Sequence, residues 1–373
     1  MQVLPALVTG GVERGTVDVA CAIADAGWIS VVVSAGGPME YELVRHGVKH
    51  INLPVDVKTP WGIYFNIGSL VKVIEDFGVD IVHARSRAPA WSAYKAAEKT
   101  GTNFITTFHG TYNLGPFGIK RWYNSIMTRG RKVIAISDFI ASHIVSNYGL
   151  ENTDKIRIIP RGIDIDRFDP QHVSPERMIQ LAKLWRLPDG VPVIMLPGRV
   201  TRWKGQSVLI EAIAKLKHRP VRCLLVGSDK GKEDYRSELE NLAAKLGLTD
   251  CVHVVGDCND MPAAYMLTDV VVSASTDPEA FGRVMVEAQA MGRPIVASDH
   301  GGAKETVLEG QTGFLTQPGD AQALAQAIDQ VLDMTGEERE NQAAIAINHA
   351  RSNFTKQAMC RATLDVYSEL LNA

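Results

Sequence analysis

DVVVSASTDPEAFGRVMVEAQAMGRPIVASD, residues 269–299, decides the fold. It opens on a short β-branched run, crosses a polar loop containing proline, turns helical near 283, and ends in a second β-branched run. Neither apolar run alternates with polar residues, so each reads as a strand buried on both faces of a parallel sheet, joined by a helical crossover. Working outward, the unit recurs. PVIMLPG, VRCLLVG, VHVVG, DVVVSAS, PIVASD and TGFLTQ alternate with helical segments near 206–217, 233–247, 260–267, 283–291 and 303–308. Earlier in the chain VLPALV, ISVVVSA, HINLP, DIVHA, NFITTFH, KVIAIS and KIRIIP do the same, with helices such as 14–26, 67–77 and 138–147. The chain therefore reads as α/β, with two doubly wound Rossmann-like domains. The break is expected in 162–190, where GIDIDRFDPQHVSP supplies Gly, Pro and charge without a strand. The expected domains are 1–168 and 169–354. Three helical segments follow the last strand, near 320–334, 336–351 and 355–371, and the last, 355–373, is expected to pack back on the first domain.

Bulk properties agree with this reading. A chain of 373 residues exceeds one ordinary core. Its 46% hydrophobic and 22% charged residues describe a soluble globular protein. Residues 1–168 hold 18 Lys/Arg against 15 Asp/Glu, the remainder 21 against 27, so the first half is slightly basic and suits an anionic partner. Five cysteines (Cys21, Cys223, Cys251, Cys258, Cys360) form no CxxC pair, which favours reduced thiols and no structural zinc. No cationic segment leads an apolar run, and no apolar run approaches 18 residues, so a cytoplasmic chain without a membrane span is expected. The chain opens almost directly on a strand, which leaves room for residues ahead of Met1.

In an open parallel sheet, ligands bind beyond the carboxyl ends of the strands, and the unusual residues collect in those loops. TGGVERG, residues 9–15, lets Gly10 and Gly11 bring backbone N–H groups to a phosphate, or is simply a tight turn. It lacks GxGxxG, and ISVVVSAGG ends without an acid, so a nicotinamide cofactor is disfavoured. LPGRVTRWKGQ, residues 196–206, places Arg199, Arg202 and Lys204 in one strand-to-helix loop, which fits a diphosphate or a solvated basic loop. In STDPEAFGRVMVE, residues 275–287, the N–H groups of Phe281, Gly282 and Arg283 would face a phosphate. Glu279 and Glu287 would each accept sugar hydroxyls, unless they are an ordinary loop acid and surface acid.

With these residues in this order, the chain resembles the GT-B glycosyltransferases of family 4, a group of retaining enzymes. The resemblance covers nearly the whole chain and rests on TGGVERG, GRVTRWKG, the E-x7-E element EAFGRVMVE, and AQAMGRPIVASDHGGAKETVLEGQTGFLTQPGD, residues 288–320. It implies two Rossmann-like domains facing each other across a cleft, the first for acceptor and the second for nucleotide sugar. It implies that Arg199 and Lys204 bind the donor diphosphate, that Glu287 holds the ribose and Glu279 the transferred sugar, and that Gly10 and Gly11 approach the diphosphate. His109, in FITTFHG, falls where the family has a histidine near the donor sugar. The family needs no metal and no cofactor, and a UDP-linked donor is expected over GDP- or ADP-linked ones. Asp164-Ile165-Asp166 is a DxD, but it lies in the interdomain segment and is read as coincidence.

The acceptor side is less patterned. GPFGIKRWYNSIMTRGRKVI, residues 115–134, holds Lys120, Arg121, Arg129, Arg131 and Lys132, no acid, and Phe117, Trp122 and Tyr123. It fits an anionic membrane face, an acidic glycolipid, or a solvated helix with Trp122 packed inward. RSRAP, residues 85–89, offers Arg85 and Arg87 as a second cationic loop for acceptor. The expected function is transfer of a sugar to a glycan or glycolipid of lipopolysaccharide core or another envelope polysaccharide, at the inner face of the cytoplasmic membrane. No nucleic-acid partner is expected. A soluble acceptor, a non-catalytic nucleotide-sugar-binding protein and a nucleotide-sugar epimerase are the alternatives.

Overall fold

The structure is a computed structural model that describes every residue except 9, 116, 117, 151, 152, 217 and 373, together with all but the side chain of 153. It divides into two compact units, Met1–Gly162 with Lys356–Ala373, and Ile163–Thr355. The first division falls after Gly162 rather than after 168, and the interdomain segment 163–175 belongs to the second unit.

Unit 1 holds seven strands: β1 (Gln2–Val3), β2 (Val31–Ser34), β3 (Lys49–Asn52), β4 (Ile81–Ala84), β5 (Asn103–Phe108), β6 (Lys132–Ala135) and β7 (Ile156–Ile158). All pair in parallel in the order β3-β2-β1-β4-β5-β6-β7. Between them run α1 (Gly11–Asp25), α2 (Glu40–Arg45), α3 (Pro60–Phe77), α4 (Arg87–Thr100), α5 (Ile119–Asn124) and α6 (Asp138–Tyr148). The opening strand is shorter than VLPALV suggests, because Pro5 has no N–H to donate. Leu4 and Leu7 still donate to the carbonyls of Val33 and Gly36, so the segment follows β2 irregularly.

Unit 2 begins with α7 (Pro175–Leu184) and carries β8 (Val193–Pro197), β9 (Arg222–Val226), β10 (Val252–Gly256), β11 (Val270–Ser273), β12 (Ile295–Ser298) and β13 (Gly313–Thr316). These form a parallel sheet in the order β10-β9-β8-β11-β12-β13. Its helices are α8 (Gln206–Lys215), α9 (Glu233–Lys245), α10 (Met261–Met266), α11 (Arg283–Ala290), α12 (Ala303–Thr306), α13 (Ala321–Asp333) and α14 (Gly336–Asn353). Ile194, Leu196, Ile210, Val270 and Ile328 are among its fully buried core residues. The last helix, α15 (Lys356–Leu371), returns to unit 1, where Met359, Val366, Tyr367 and Leu370 pack with Val19, Ile23, Ile105 and Ile134.

In each sheet the strand order reverses once, at β1/β4 in unit 1 and β8/β11 in unit 2. Loops diverge at such a point and leave a crevice, so the segments after β1, β4, β8 and β11 are where a ligand is expected. Among the described residues no helix is long and apolar enough to cross a membrane, and all five cysteines are unbridged.

Candidate functional site

In unit 2 the loop after β8 and the loop after β11 are bound to one another. The N–H of Thr276 donates to the carbonyl of Trp203 at 2.7 Å. Gly205, at φ +70°, lies so close to β11 that a Cβ there would stand 1.8 Å from the Ala274 carbonyl oxygen. This contact carries Lys204 to the acid loop, where its ammonium pairs with Glu279 and lies 4.4 Å from the Trp203 ring centroid. Lys204 and Glu279 retain only 15% and 13% of their side-chain exposure, so the pair is shielded from solvent screening. The Ser275 hydroxyl donates to the same Glu279 oxygen at 2.7 Å.

The acid loop is pinned from behind. The N–H of Gly302 donates to the Glu279 carbonyl at 2.8 Å, and His300 Nε2 donates to the Ser275 carbonyl at 2.9 Å. A Cβ on Gly301 would lie 2.4 Å from the Glu279 carbonyl oxygen, and one on Gly302 2.6 Å from the Phe281 Cα. The glycine pair therefore lets the loop sit against α12. Phe281 is buried edge-on to Phe354, so its ring anchors the loop while its backbone leads into α11. Gly282 caps α11 at φ +90° without a side-chain hydrogen bond, which leaves the first N–H groups free of a capping side chain.

Glu287 is a buried residue of α11. Its carboxylate accepts from Arg283 at 2.9 Å and from the Tyr265 hydroxyl at 3.0 Å. Burial and the neighbouring carboxylate push the Tyr265 phenol well above its ordinary value, so it stays a donor. Arg199 is exposed and makes no ion pair among the described residues. Arg202 is committed elsewhere, donating twice to Glu238 over the Tyr235 ring. Sequence reading singled out Lys204, Glu279, Arg283 and Glu287 as ligand-binding groups but did not pair them; the structure joins Lys204 to Glu279 and Arg283 to Glu287, and adds Tyr265, Ser275 and the pinning by His300, Gly301 and Gly302. Tyr265 carries no spacing signal at all; the Gly-Gly of 301–302 directly after a strand was the signal for the rest.

In unit 1, Gly10 precedes α1 in extended conformation and Gly11 begins the helix. The Gly11 carbonyl accepts from Arg161 at 2.6 Å, and Arg161 also donates to His109 Nδ1 at 2.8 Å. Burial, followed by the charges of Arg161 and Arg85, holds His109 well below its ordinary pKa. Arg161 was missed, although a cation directly after the strand KIRIIP stands at the carboxyl end of the sheet.

The acceptor candidates separate. Arg85 is 3% exposed, and its Nε has no hydrogen bond among the described residues; burial lowers its pKa. Arg87 lies 4.1 Å from the Tyr112 ring centroid and donates to Asn124 at 2.9 Å. Lys120 and Arg121 are exposed on α5, and Trp122 is 61% exposed while stacking on Trp91 rather than packing inward. Phe117 lies outside the described residues. Asp164 accepts from the N–H groups of Asp166 and Arg167, closing a local turn. No group of three or more His, Cys, Asp or Glu gathers as a metal site among the described residues.

Residues 9–167 match the sequence family Glycosyltransferase Family 4, and residues 180–349 match Glycosyl transferases group 1. A D-inositol 3-phosphate glycosyltransferase from Xylanimonas cellulosilytica is 30% identical over 78% of this chain and 72% of its own. The crystal structure of a glycosyltransferase from Rickettsia africae ESF-5 superposes with a TM-score of 0.92 at 41% identity, covering 99% of this chain and 97% of that one. Anabaena Alr3699/HepE in complex with UDP and glucose superposes with a TM-score of 0.85 at 26% identity, covering 98% of each chain. The loops built above stand within these matches, and the chain belongs to the glycosyltransferases of the group 1 and family 4 type, with the GT-B fold.

Proposed function

We propose that the chain moves a sugar from a UDP-linked donor to a glycan or glycolipid acceptor with retention of configuration and without a metal ion. The observation that carries this reading is the shielded Lys204–Glu279 pair beside the uncapped start of α11. A diphosphate brought to Lys204 and to exposed Arg199 gains two charge-assisted partners, and the α11 N–H groups add a third anion-favouring element. Released from the ammonium, Glu279 accepts hydroxyls of the transferred sugar, while Glu287, oriented by Tyr265 and Arg283, accepts the ribose hydroxyls. Fixed positive charge at the departing diphosphate lowers the barrier as that charge develops. The acceptor oxygen attacks from the face the diphosphate leaves, and a phosphate oxygen takes its proton. HepE, which binds UDP and glucose, supports the uracil base and a hexose.

For the acceptor, the reading is an envelope glycan or glycolipid, lipopolysaccharide core included, met at the inner face of the cytoplasmic membrane. Its support is the exposed surface of Ile119, Lys120, Arg121 and Trp122 on α5, where apolar and cationic groups lie side by side. Unfolding followed against UDP-, GDP- and ADP-sugars tests the donor. A ligand at about a hundred times its Kd stabilises by about 2.7 kcal/mol, so UDP-sugars are expected to raise the midpoint and the others to leave it unchanged. Product anomer read by NMR, with activity unchanged by a chelator, tests the rest. An inverted product or chelator-abolished transfer overturns it.

A further inference from the structure

Arg161 stands between two parts of unit 1 that sequence reading treated separately. It follows β7 and is 6% exposed; one terminal nitrogen donates to the Gly11 carbonyl at 2.6 Å and the other to His109 Nδ1 at 2.8 Å. A guanidinium has donors only and keeps its proton at every accessible pH. Nδ1 is therefore the acceptor in this bond, and the neutral imidazole must carry its hydrogen on Nε2. Nε2 is buried and makes no hydrogen bond among the described residues. His109 directly follows β5, at the carboxyl end of the sheet where ligands bind.

The surroundings reinforce this. The ionisable groups facing the ring are Arg161, Arg85 and His83, with Tyr112 hydrogen-bonded to the His109 backbone. Gly15 makes the arrangement possible: a Cβ there would lie 2.2 Å from Arg161 Nη1 and 3.3 Å from Arg85 Nη2. The last glycine of TGGVERG thus makes room for two guanidinium groups.

We propose that Arg161 is a positioning residue for sugar transfer, fixing His109 as a neutral Nε2–H donor for substrate at the carboxyl end of the unit 1 sheet and barring it from acting as a base. The inference rests on the proposed function, since the donor and acceptor state of the ring is read against that transfer. Nε2 already holds its hydrogen and Nδ1 is occupied, so neither nitrogen receives the acceptor proton. That proton goes to the leaving phosphate as the acceptor C–O bond forms and the sugar–phosphate bond breaks. The same guanidinium holds the glycine loop at Gly11, tying loop and ring into one unit.

The test starts with the intact protein. Long-range proton–nitrogen NMR of histidine-labelled full-length chain is expected to show His109 as the Nε2–H tautomer from about pH 6 to 9, with no titration. In Arg161→Gln, kcat is expected to fall about tenfold with a smaller change in donor KM, the signature of an interaction made mainly in the transition state. The His109 pKa then rises toward the ordinary value of about 6.5, adding an acid limb to the kcat profile. Arg161→Lys, which keeps one charged donor, recovers part of the loss. The double variant with His109→Ala is expected to be no slower than His109→Ala alone. An Nδ1–H ring in the intact protein, or additive losses, overturns the inference and leaves the transfer reading standing. Unchanged transfer in His109→Ala overturns the role of the ring and the inference with it.

Discussion

Lys204 is the residue on which most depends. Its ammonium is held by Glu279 and placed over Trp203, so replacement by Ala removes one of the two cations proposed to meet the diphosphate. Lys204→Ala is expected to lower kcat by about tenfold or more while circular dichroism stays native; near-unchanged kinetics in a folded variant would sink the role. Tyr265→Phe is a subtler probe, because it deletes one hydroxyl from Glu287 and nothing else. Donor KM is expected to rise about three- to tenfold, the range of one hydrogen bond, with kcat less affected. Lys204, Glu279 and Glu287 were legible in the sequence because charged residues are scarce in apolar crossover units, but their ion pairing was not, since spacing along the chain does not show which cation a carboxylate reaches. Nor was Tyr265, since a tyrosine among apolar residues shows only that it will be buried, not which carboxylate its hydroxyl will reach.

At the scale of elements, glycines decide which loops can meet. Gly205→Ala would force a methyl into the Ala274 carbonyl at a positive φ. It is expected to destabilise unit 2 by at least about 2 kcal/mol in urea unfolding. A normal midpoint would show that the two loops are not held as closely as described. Asp260 ties two helices together: it caps α10 through the N–H of Ala263 and takes two hydrogen bonds from Arg177 of α7. The Arg177 hydrogen bond lowers the Asp260 pKa. The stability this brings is present above the unfolded value of about 3.9 and is lost as pH falls through the folded pKa. Asp260→Asn should therefore unfold earlier than the parent at pH 7, with the gap closing as pH falls below the unfolded value and through the lowered folded one; a gap unchanged by pH would point to packing instead. Strands were legible because buried parallel strands are continuous apolar runs. The start of α3 was not, because Trp61, Tyr64 and Phe65 are 65–75% exposed and no inward apolar stripe marks its first turns. Thr59, accepting from the Gly62 N–H, and Pro60 set the helix start instead.

Across the whole molecule, unit 1 is assembled from both ends of the sequence and unit 2 from the stretch between. The return of the last helix to the first unit was legible as an expectation. The division after Gly162 was not, because 163–175 has no strand pattern to assign it; Asp169, paired with Arg351 of α14, helps bind it to unit 2. This connectivity inverts the order in which the units can be completed during synthesis. All of unit 2 leaves the ribosome before residues 356–371, so Ile105, Ile134, Val19 and Ile23 wait uncovered until that helix is made. A nascent chain stalled before Lys356 is expected to resist protease across 163–355 and to be cut within 1–162. Unit 2 is then topologically an insertion, and joining Gly162 to Lys356 would recover a continuous seven-stranded protein; failure of that splice to fold would show that the older-made half needs its passenger.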